Sequence, residues 1–305
     1  MYGEREKFPI GIAKASADII LDSLSSISEV KGVEIGGSVR RGKDLVSDLD
    51  LIIAAQYFQE IVNYFEKHPH IQKIERVDGR RLKAVTWLGV NIDVEIVNEK
   101  NFVEALYIST GSEEHIKQMQ KIAESRGCQI TKNGIFINGS RLMVENEEDI
   151  YSALGLPYIV PELREGRGEI EAAGKGQLPR LVSLDDIKGD LHVHSTWSDG
   201  ISSIEEMVKE AVSMGYSYIA ITDHSKSLGI ANGLSEERLA EQWEEIERLR
   251  EKYAPFVILK GIEVDILSDG RLDFDDEVLK KVDLVIASIH TGFKQDSETI
   301  TKRII

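Results

Sequence analysis

Residues 36–53 read Gly-Gly-Ser-Val-Arg-Arg-Gly-Lys-Asp-Leu-Val-Ser-Asp-Leu-Asp-Leu-Ile-Ile and join a glycine turn to an apolar strand. Asp48 and Asp50 are two residues apart, so they point to the same face of that strand, and the leucines between and after them face a core. Hard cations take oxygen ligands, and a glycine turn lets backbone N–H groups reach phosphate oxygens. The stretch therefore predicts metal-dependent phosphoryl transfer, and the alternative is a surface turn before a strand with solvated aspartates.

This combination, Gly-Gly-Ser-x-Arg-Arg-Gly followed by Ser-Asp-x-Asp, resembles the nucleotidyltransferase motif of family X DNA polymerases. The resemblance implies that Ser38 and Arg41, on the turn that contains Gly37, hold the β- and γ-phosphates of an incoming nucleotide. It also implies that Asp48 and Asp50 ligate both of the catalytic metal ions, Mg²⁺ or Mn²⁺.

The family's site uses a third carboxylate, which lies on a neighbouring strand and binds the metal that activates the primer 3′-hydroxyl. Residues 90–97 alternate strictly between apolar and polar side chains, which predicts a half-buried strand. Asp93 lies on its polar face and can face Asp48 and Asp50, so it is the expected third ligand. Glu95 stands where the family often has arginine.

A Thr-Gly-Ser tripeptide that contains Gly111 and Ser112 resembles part of the family's Tyr-Phe-Thr-Gly-Ser motif, which shapes the sugar pocket. The resemblance assigns these two residues to nucleotide binding. Ile108 and Ser109 replace the aromatic pair that lines the deoxyribose in the family, so sugar selectivity stays open. Residues 154–165 resemble the family's exit from the polymerase core.

A second group of polar residues follows apolar strands in the C-terminal part of the chain. A His-x-His segment places two imidazoles on one strand face, and an aspartate follows in the next turn, which suits Zn, Mn or Fe. A lone strand histidine is more often packed or solvated, but more candidate ligands end three further apolar segments. Helical patterns near 202–214, 235–252 and 275–281 separate these strands, which predicts parallel β/α units with ligands at their carboxyl ends.

This layout resembles the polymerase-and-histidinol-phosphatase (PHP) domain, a distorted β/α barrel that cleaves phosphoesters at a polynuclear metal site. In that family the matching residues are all metal ligands: His192, His194, Asp199, His224, Glu263 and His290. The resemblance implies Zn²⁺, Mn²⁺ or Fe, with 3′-5′ exonuclease or 3′-end processing activity. Asp223 either orients a ligand imidazole or is solvated.

The resemblance also predicts the domain organisation. We expect a helix leading into the palm over 1–30, a nucleotidyltransferase palm over 31–105 and a thumb-type subdomain over 106–170. A linker is expected at 171–185. This range overlaps the glycine-rich and charged segment 164–176, whose composition suits a linker and marks the domain boundary. A PHP domain is expected over 186–305. The fold class is therefore α/β, with a mixed palm sheet and a partial β/α barrel.

The family places a lyase-like domain and helix-hairpin-helix elements before the palm, and a later histidine and an Asp-x-His near the end of the PHP barrel. Neither the preceding elements nor these later ligands match residues of this sequence. We therefore expect an internal fragment of a longer polymerase. Its barrel metal site should have reduced occupancy and little nuclease activity.

The chain has a net charge of −16, so it is no generic basic DNA-binding protein. Residues 1–180 hold 23 Lys and Arg against 28 Asp and Glu, and the remainder holds 14 against 25. A basic group at Arg76, Arg80, Arg81 and Lys83 is either a DNA contact or a solvated hairpin. We expect weak, salt-sensitive affinity for DNA. One cysteine, no signal peptide and no long apolar run predict a cytoplasmic protein without membrane contact.

The leading hypothesis is a monomeric DNA-directed DNA polymerase for repair, which adds dNTPs to gapped or primer-template DNA and carries a metal phosphoesterase in the same chain. Two alternatives remain open. One is a nucleotidyltransferase for a substrate other than DNA. The other is a PHP phosphatase of the histidinol-phosphatase type with an inactive palm.

Overall fold

The computed structural model describes residues 7–305 and divides into two compact units, with the boundary between Arg180 and Leu181. The boundary falls inside the segment predicted as a linker. Within the described part, no helix has both the length and the apolarity that a membrane crossing needs. Each unit has its own hydrophobic cores.

The first unit begins with a subdomain, here called the palm, that is built from a five-stranded mixed sheet, a two-stranded antiparallel sheet of β1 and β3, and four helices. Its strands are β1 (Phe8–Pro9), β2 (Val30–Ile35), β3 (Leu45–Val46), β4 (Asp48–Ala55), β5 (Ile71–Asp78), β6 (Arg81–Thr86) and β7 (Asn91–Val97). Its helices are α1 (Ile10–Ser25), α2 (Gly37–Arg40), α3 (Phe58–Lys67) and α4 (Phe102–Thr110).

The main palm sheet has the strand order β2-β4-β7-β6-β5. Only β4 and β7 run parallel, whereas the other neighbours are antiparallel. Helices α1 and α3 bury one face of the sheet, where Leu49, Leu51 and Ile53 lie in the core as their alternation predicts. On the opposite face α4 packs over Ile52, so Asp48 and Asp50 stay at the uncovered end of that face.

The rest of the first unit is a smaller subdomain. It contains α5 (Glu113–Ser125), the antiparallel strands β8 (Cys128–Thr131), β9 (Gly134–Ile137) and β10 (Ser140–Leu142), and helices α6 (Glu147–Ala153) and α7 (Glu169–Gly174). Met119, Ile150 and Leu154 are at the centre of its core.

The prediction that the glycine-rich segment 164–176 is a linker is wrong for most of its length. Arg164 is fully buried, and α7 packs Ile170 and Ala173 into the core of the subdomain. Composition does not reveal this packing. The buried residues Arg164, Ile170 and Ala173 are interspersed with glycines and charged residues, which favour a flexible chain. The first residues of the predicted linker 171–185 therefore belong to a packed helix.

The second unit is a parallel sheet of four β/α units. Its strands are β11 (Gly189–Val193), β12 (Tyr218–Ile221), β13 (Val257–Asp265) and β14 (Leu284–Ser288), in that order across the sheet. Its helices are α8 (Ile204–Ser213), α9 (Glu236–Tyr253), α10 (Asp276–Leu279) and α11 (Ser297–Ile304). The α/β fold class and the partial barrel are confirmed.

Ser203 and Ser235 begin α8 and α9 as N-caps, each accepting a hydrogen bond from the backbone of the first helical turn. Because every strand is parallel, their carboxyl ends meet at one edge of the sheet. That edge carries the predicted metal ligands.

Candidate metal centres in the two units

The glycine turn of the palm lies directly against Asp50. The Gly36 N–H donates to the backbone oxygen of Asp50 at 2.8 Å, and Gly37 has a φ of +58°. A Cβ on Gly37 would stand 1.8 Å from Asp50 Oδ2. Only glycine fits this approach, and the short helix α2 then places Ser38 in its first turn.

The three predicted carboxylates lie on the same face of two neighbouring strands. Asp50 is directly opposite Asp93 in the parallel β4–β7 pair, and Asp48 is opposite Asn91. Burial, together with the charges of Asp48 and Asp93, raises the pKa of Asp50 from 3.8 to about 7. Crowded, partly desolvated carboxylates of this kind fit a bound cation, and their oxygen atoms suit Mg²⁺ or Mn²⁺.

Basic residues that the sequence analysis did not assign to this site extend the row of charges across the sheet. Lys83, on β6 opposite Asp93, places its Nζ 2.7 Å from Asp93 Oδ2. At the next position on the same face of β7, Glu95 Oε2 lies 2.5 Å from Lys132 Nζ. These residues line a cleft of about 270 Å³ together with Asp50. Of the predicted basic group Lys83 and Arg81 line the cleft, and Arg76 does not.

The Thr-Gly-Ser tripeptide of residues 110–112 directly follows two residues of the cleft wall. Ile108 and Ser109 line the cleft with the carboxylates, and the Ser109 hydroxyl lies against Gly36. Ser112 instead is the N-cap of α5 and accepts from the His115 N–H at 3.1 Å. The assignment of Gly111 and Ser112 to nucleotide binding stays a prediction.

Arg41 is held by two contacts. Its Nε donates to Glu165 Oε1 at 2.7 Å, and an η nitrogen donates to the backbone oxygen of Thr110 at 2.8 Å. Arg40 forms a two-pronged pair with Glu147 at 3.0 and 2.7 Å. The turn's two arginines are therefore fixed by the smaller subdomain.

Glu147 also accepts from the buried Arg164 at 2.5 Å. Burial of the Glu147 carboxyl acts to raise its pKa. Arg40 and Arg164 outweigh this effect and hold the pKa below its usual value. The rings of Tyr107, Tyr151 and Tyr158 surround the Arg164 guanidinium with centroids 5.2–5.6 Å away. Arg164 thus connects the subdomain core, through Glu147 and Arg40, to the glycine turn.

In the second unit all six predicted ligands converge. They form three overlapping groups whose ligand atoms lie within 4.8 Å of one another: His192, His194 and Glu263; His194, Asp199 and His224; and His224, Glu263 and His290. Glu263 is the centre, because four imidazoles approach its carboxylate at 3.1–3.3 Å. The strand ends therefore meet as the sequence predicts, although β13 continues two residues beyond Glu263.

Donor chemistry at this cluster fits a metal ion. His224 Nδ1 is buried and makes no hydrogen bond to any residue of the described range 7–305, although it lies 3.1 Å from Glu263 Oε2. Burial, and then the charge of His194, lowers the pKa of His224, which favours the neutral form that binds metals. Burial acts to raise the pKa of Glu263, but Ser288, His192 and His224 hold it below its usual value.

Asp223 has a role that neither expectation described. It is fully buried and accepts from the backbone and hydroxyls of Ser195 and Ser198 and from Gln242. It therefore holds the loop after β11 against α9, and makes no hydrogen bond to a ligand imidazole. Asp265 instead accepts from His290 Nδ1, a supporting contact that the sequence analysis missed.

Comparison with known proteins divides the chain in the same way as the fold. Residues 105–165 match the family model of the DNA polymerase beta thumb, and residues 190–304 match that of the PHP domain. The chain is 40% identical over 303 residues to the DNA polymerase/3′-5′ exonuclease PolX of Bacillus subtilis, covering 98% of this chain and 53% of that protein.

Two further relatives match the second unit. A probable phosphatase of Thermoanaerobacter sp. is 37% identical over 123 residues, which are 38% of this chain and 47% of that protein. A DNA polymerase III of the PolC type from Listeria monocytogenes is 33% identical over 93 residues, 30% of this chain and 6% of that protein. The chain spans about half the length of the first two relatives.

Proposed function

Because the chain belongs to the family X DNA polymerases that carry a PHP domain, we propose that its first unit transfers deoxynucleotides from dNTPs to the 3′ end of a primer on gapped or primer-template DNA. The observation that carries this proposal is the placement of Asp50 opposite Asp93 on parallel strands, with the Gly37 turn closed over Asp50. A relative named as a polymerase supports the same reading.

The site residues of the palm have distinct tasks in this reaction. Asp48, Asp50 and Asp93 would hold Mg²⁺ or Mn²⁺, which supplies charge neutralisation at the phosphates and activation of the primer hydroxyl. The Gly37 turn and Ser38 bring backbone and hydroxyl donors to the phosphates, and Arg41 adds a fixed positive charge.

Asp93 also has Lys83 beside it, so an ammonium group balances part of its charge. Asp93 is the carboxylate closest to this cation, and we assign it to orienting the primer hydroxyl. Ile108 and Ser109 form the wall of the cleft where the sugar would lie. A wall without an aromatic ring leaves room for sugar substituents.

We propose that the second unit is a phosphoesterase that acts on DNA 3′ ends. Its His-rich cluster suits Zn²⁺, Mn²⁺ or Fe, which would supply an activated water for attack on a phosphodiester. Glu263 holds four imidazoles in place, and Asp265 orients His290. Cytoplasmic location and a monomeric state are part of the same proposal.

Primer extension on gapped DNA tests the polymerase function. With Mg²⁺ or Mn²⁺ present, the wild type should extend the primer and Asp93→Ala should not, because the third carboxylate is lost. Asp78→Ala is the matched control, since Asp78 is exposed at the end of the neighbouring hairpin and forms an ion pair with Arg76. Extension by Asp93→Ala at the wild-type rate would contradict the proposal.

A separate measurement tests the phosphoesterase function. Elemental analysis after purification should find Mn, Zn or Fe in the wild type and a large loss in His194→Ala, which removes contacts to both Glu263 and Asp199. A 5′-labelled oligonucleotide should be shortened from its 3′ end by a longer chain that includes this unit, and His194→Ala should abolish the shortening. Equal metal content in the wild type and in His194→Ala would contradict the proposed metal site.

A further inference from the structure

The carboxylate of Glu165 lies where two cations of the phosphate-binding turn converge. Arg41 Nε is 2.7 Å from Glu165 Oε1, and Lys43 Nζ is 3.5 Å from Glu165 Oε2. The side chains of Arg41 and Glu165 are only 13% and 18% exposed. Arginine binds carboxylate and phosphate oxygens with the same donors, so an internal anion already occupies a point suited to phosphate.

The backbone beside Glu165 is anchored, whereas its side chain can turn outward. The Arg164 carbonyl accepts from the Ser112 N–H at 2.9 Å. On the other side, the N–H groups of Gly166 and Arg167 donate to the Glu169 carboxylate at 2.8 and 2.6 Å. Three rotatable side-chain bonds of Glu165 then remain, and rotation about them carries the carboxylate to solvent without moving this turn.

Arg41 cannot follow, because its second contact, to the Thr110 backbone oxygen, fixes the guanidinium. A phosphate that binds Arg41 Nε must therefore replace the Glu165 carboxylate. We propose that Glu165 is an internal competitor of the nucleotide triphosphate for Arg41 and Lys43, a proposal that rests on the polymerase function of the first unit.

This competition lowers nucleotide affinity and helps product release. Binding of a triphosphate includes the free-energy cost of breaking the Glu165 contacts, so affinity is lower than Arg41 and Lys43 alone would give. When pyrophosphate leaves, the carboxylate returns to Arg41 and Lys43, and the partly buried guanidinium is never left without an anion. Glu165 thus tunes the site through Arg41 without touching the reacting atoms.

Equilibrium binding of dATP with Mg²⁺ to the full chain, measured by isothermal titration calorimetry without DNA, tests this inference. Glu165→Gln keeps an acceptor for Arg41 Nε and removes the charge, so the Kd should fall on the order of tenfold. The affinity for inorganic tripolyphosphate should rise by the same factor, and the affinity for deoxyadenosine should not rise. In an Arg41→Ala background the same substitution should change the Kd much less.

Glu162→Gln is the matched control, because Glu162 is exposed three residues away and loses the same charge. Its Kd should equal that of the wild type. Equal Kd values for Glu165→Gln and wild type would overturn the competition while leaving the polymerase function intact. Weaker binding in Glu165→Gln or Glu165→Ala would overturn it too, since Glu165 would then hold Arg41 in place. No dATP binding by any variant would overturn the nucleotide site itself, and the proposed function with it.

Discussion

Asp50→Asn should stabilise the metal-free protein while it removes metal binding. Burial and the charges of Asp48 and Asp93 raise the pKa of Asp50 from 3.8 to about 7, so the folded state favours the protonated carboxyl. When the pKa of a carboxyl is higher in the folded than in the unfolded protein, stability is greatest below the unfolded-state pKa. It is lost as the pH rises through the folded-state pKa. At pH 8–9 the ionised carboxyl therefore costs about 4 kcal/mol of folding free energy, because one pKa unit equals about 1.4 kcal/mol.

The amide variant avoids this cost because it never ionises. In EDTA the free energy of unfolding of Asp50→Asn should exceed that of the wild type by up to about 4 kcal/mol at pH 8–9. The difference should shrink as the pH falls through 7 and vanish below pH 4. Addition of Mn²⁺ at pH 8 should stabilise the wild type and leave the variant unchanged, which reverses the order.

Urea titrations of the full chain, read by pulsed hydrogen exchange of peptides from β4 and β7, measure this without interference from the second unit. Asp44→Asn is the control, because Asp44 is exposed on the loop between α2 and β3 and undergoes the same chemical change. A parallel pH dependence for wild type and Asp50→Asn between pH 4 and 9 would refute the electrostatic account of this site.

Three other outcomes are expected. Gly37→Ala should destabilise the first unit by about 1–3 kcal/mol and abolish nucleotide binding, because its φ is positive and its Cβ meets the adjacent carboxylate; thermal unfolding and calorimetry measure both effects. Glu263→Ala should lower the bound metal content of the second unit far more than Glu241→Ala, an exposed control, as elemental analysis would report. Arg164→Met should cost about 2–3 kcal/mol in urea unfolding, because it removes the charge-assisted hydrogen bond from Arg164 to the buried Glu147, which keeps only Arg40 as its arginine partner; equal stability would contradict that.

Sequence periodicity predicted which side chains share a face, and there the structure confirmed the prediction. Asp93 lies on the polar face of a strictly alternating strand, and it does lie opposite Asp50. The ligands at the ends of apolar segments also converge, because parallel strands end at one edge of a sheet.

Periodicity carries no information on which residue stands across the sheet or beyond a loop. Lys83 faces Asp93 because of the register in which β6 pairs antiparallel with β7. Glu165 reaches Arg41 across 124 positions of the chain, and only the packed turn around it brings them together. Asp223 was misjudged because its neighbour in sequence is a ligand, whereas its hydrogen-bond partners are a loop and a distant helix.

The parallel pairing of β4 with β7 makes the carboxylate site of the palm a long-range contact. The segment that connects the two strands includes α3 and the β5–β6 hairpin, so pairing Asp50 with Asp93 closes a long loop of the chain. Closing such a non-local pair is entropically slow compared with forming a helix or a hairpin. The arrival of tight Mn²⁺ binding during refolding would therefore time the completion of the sheet, and the metal would act as a reporter of a late folding event.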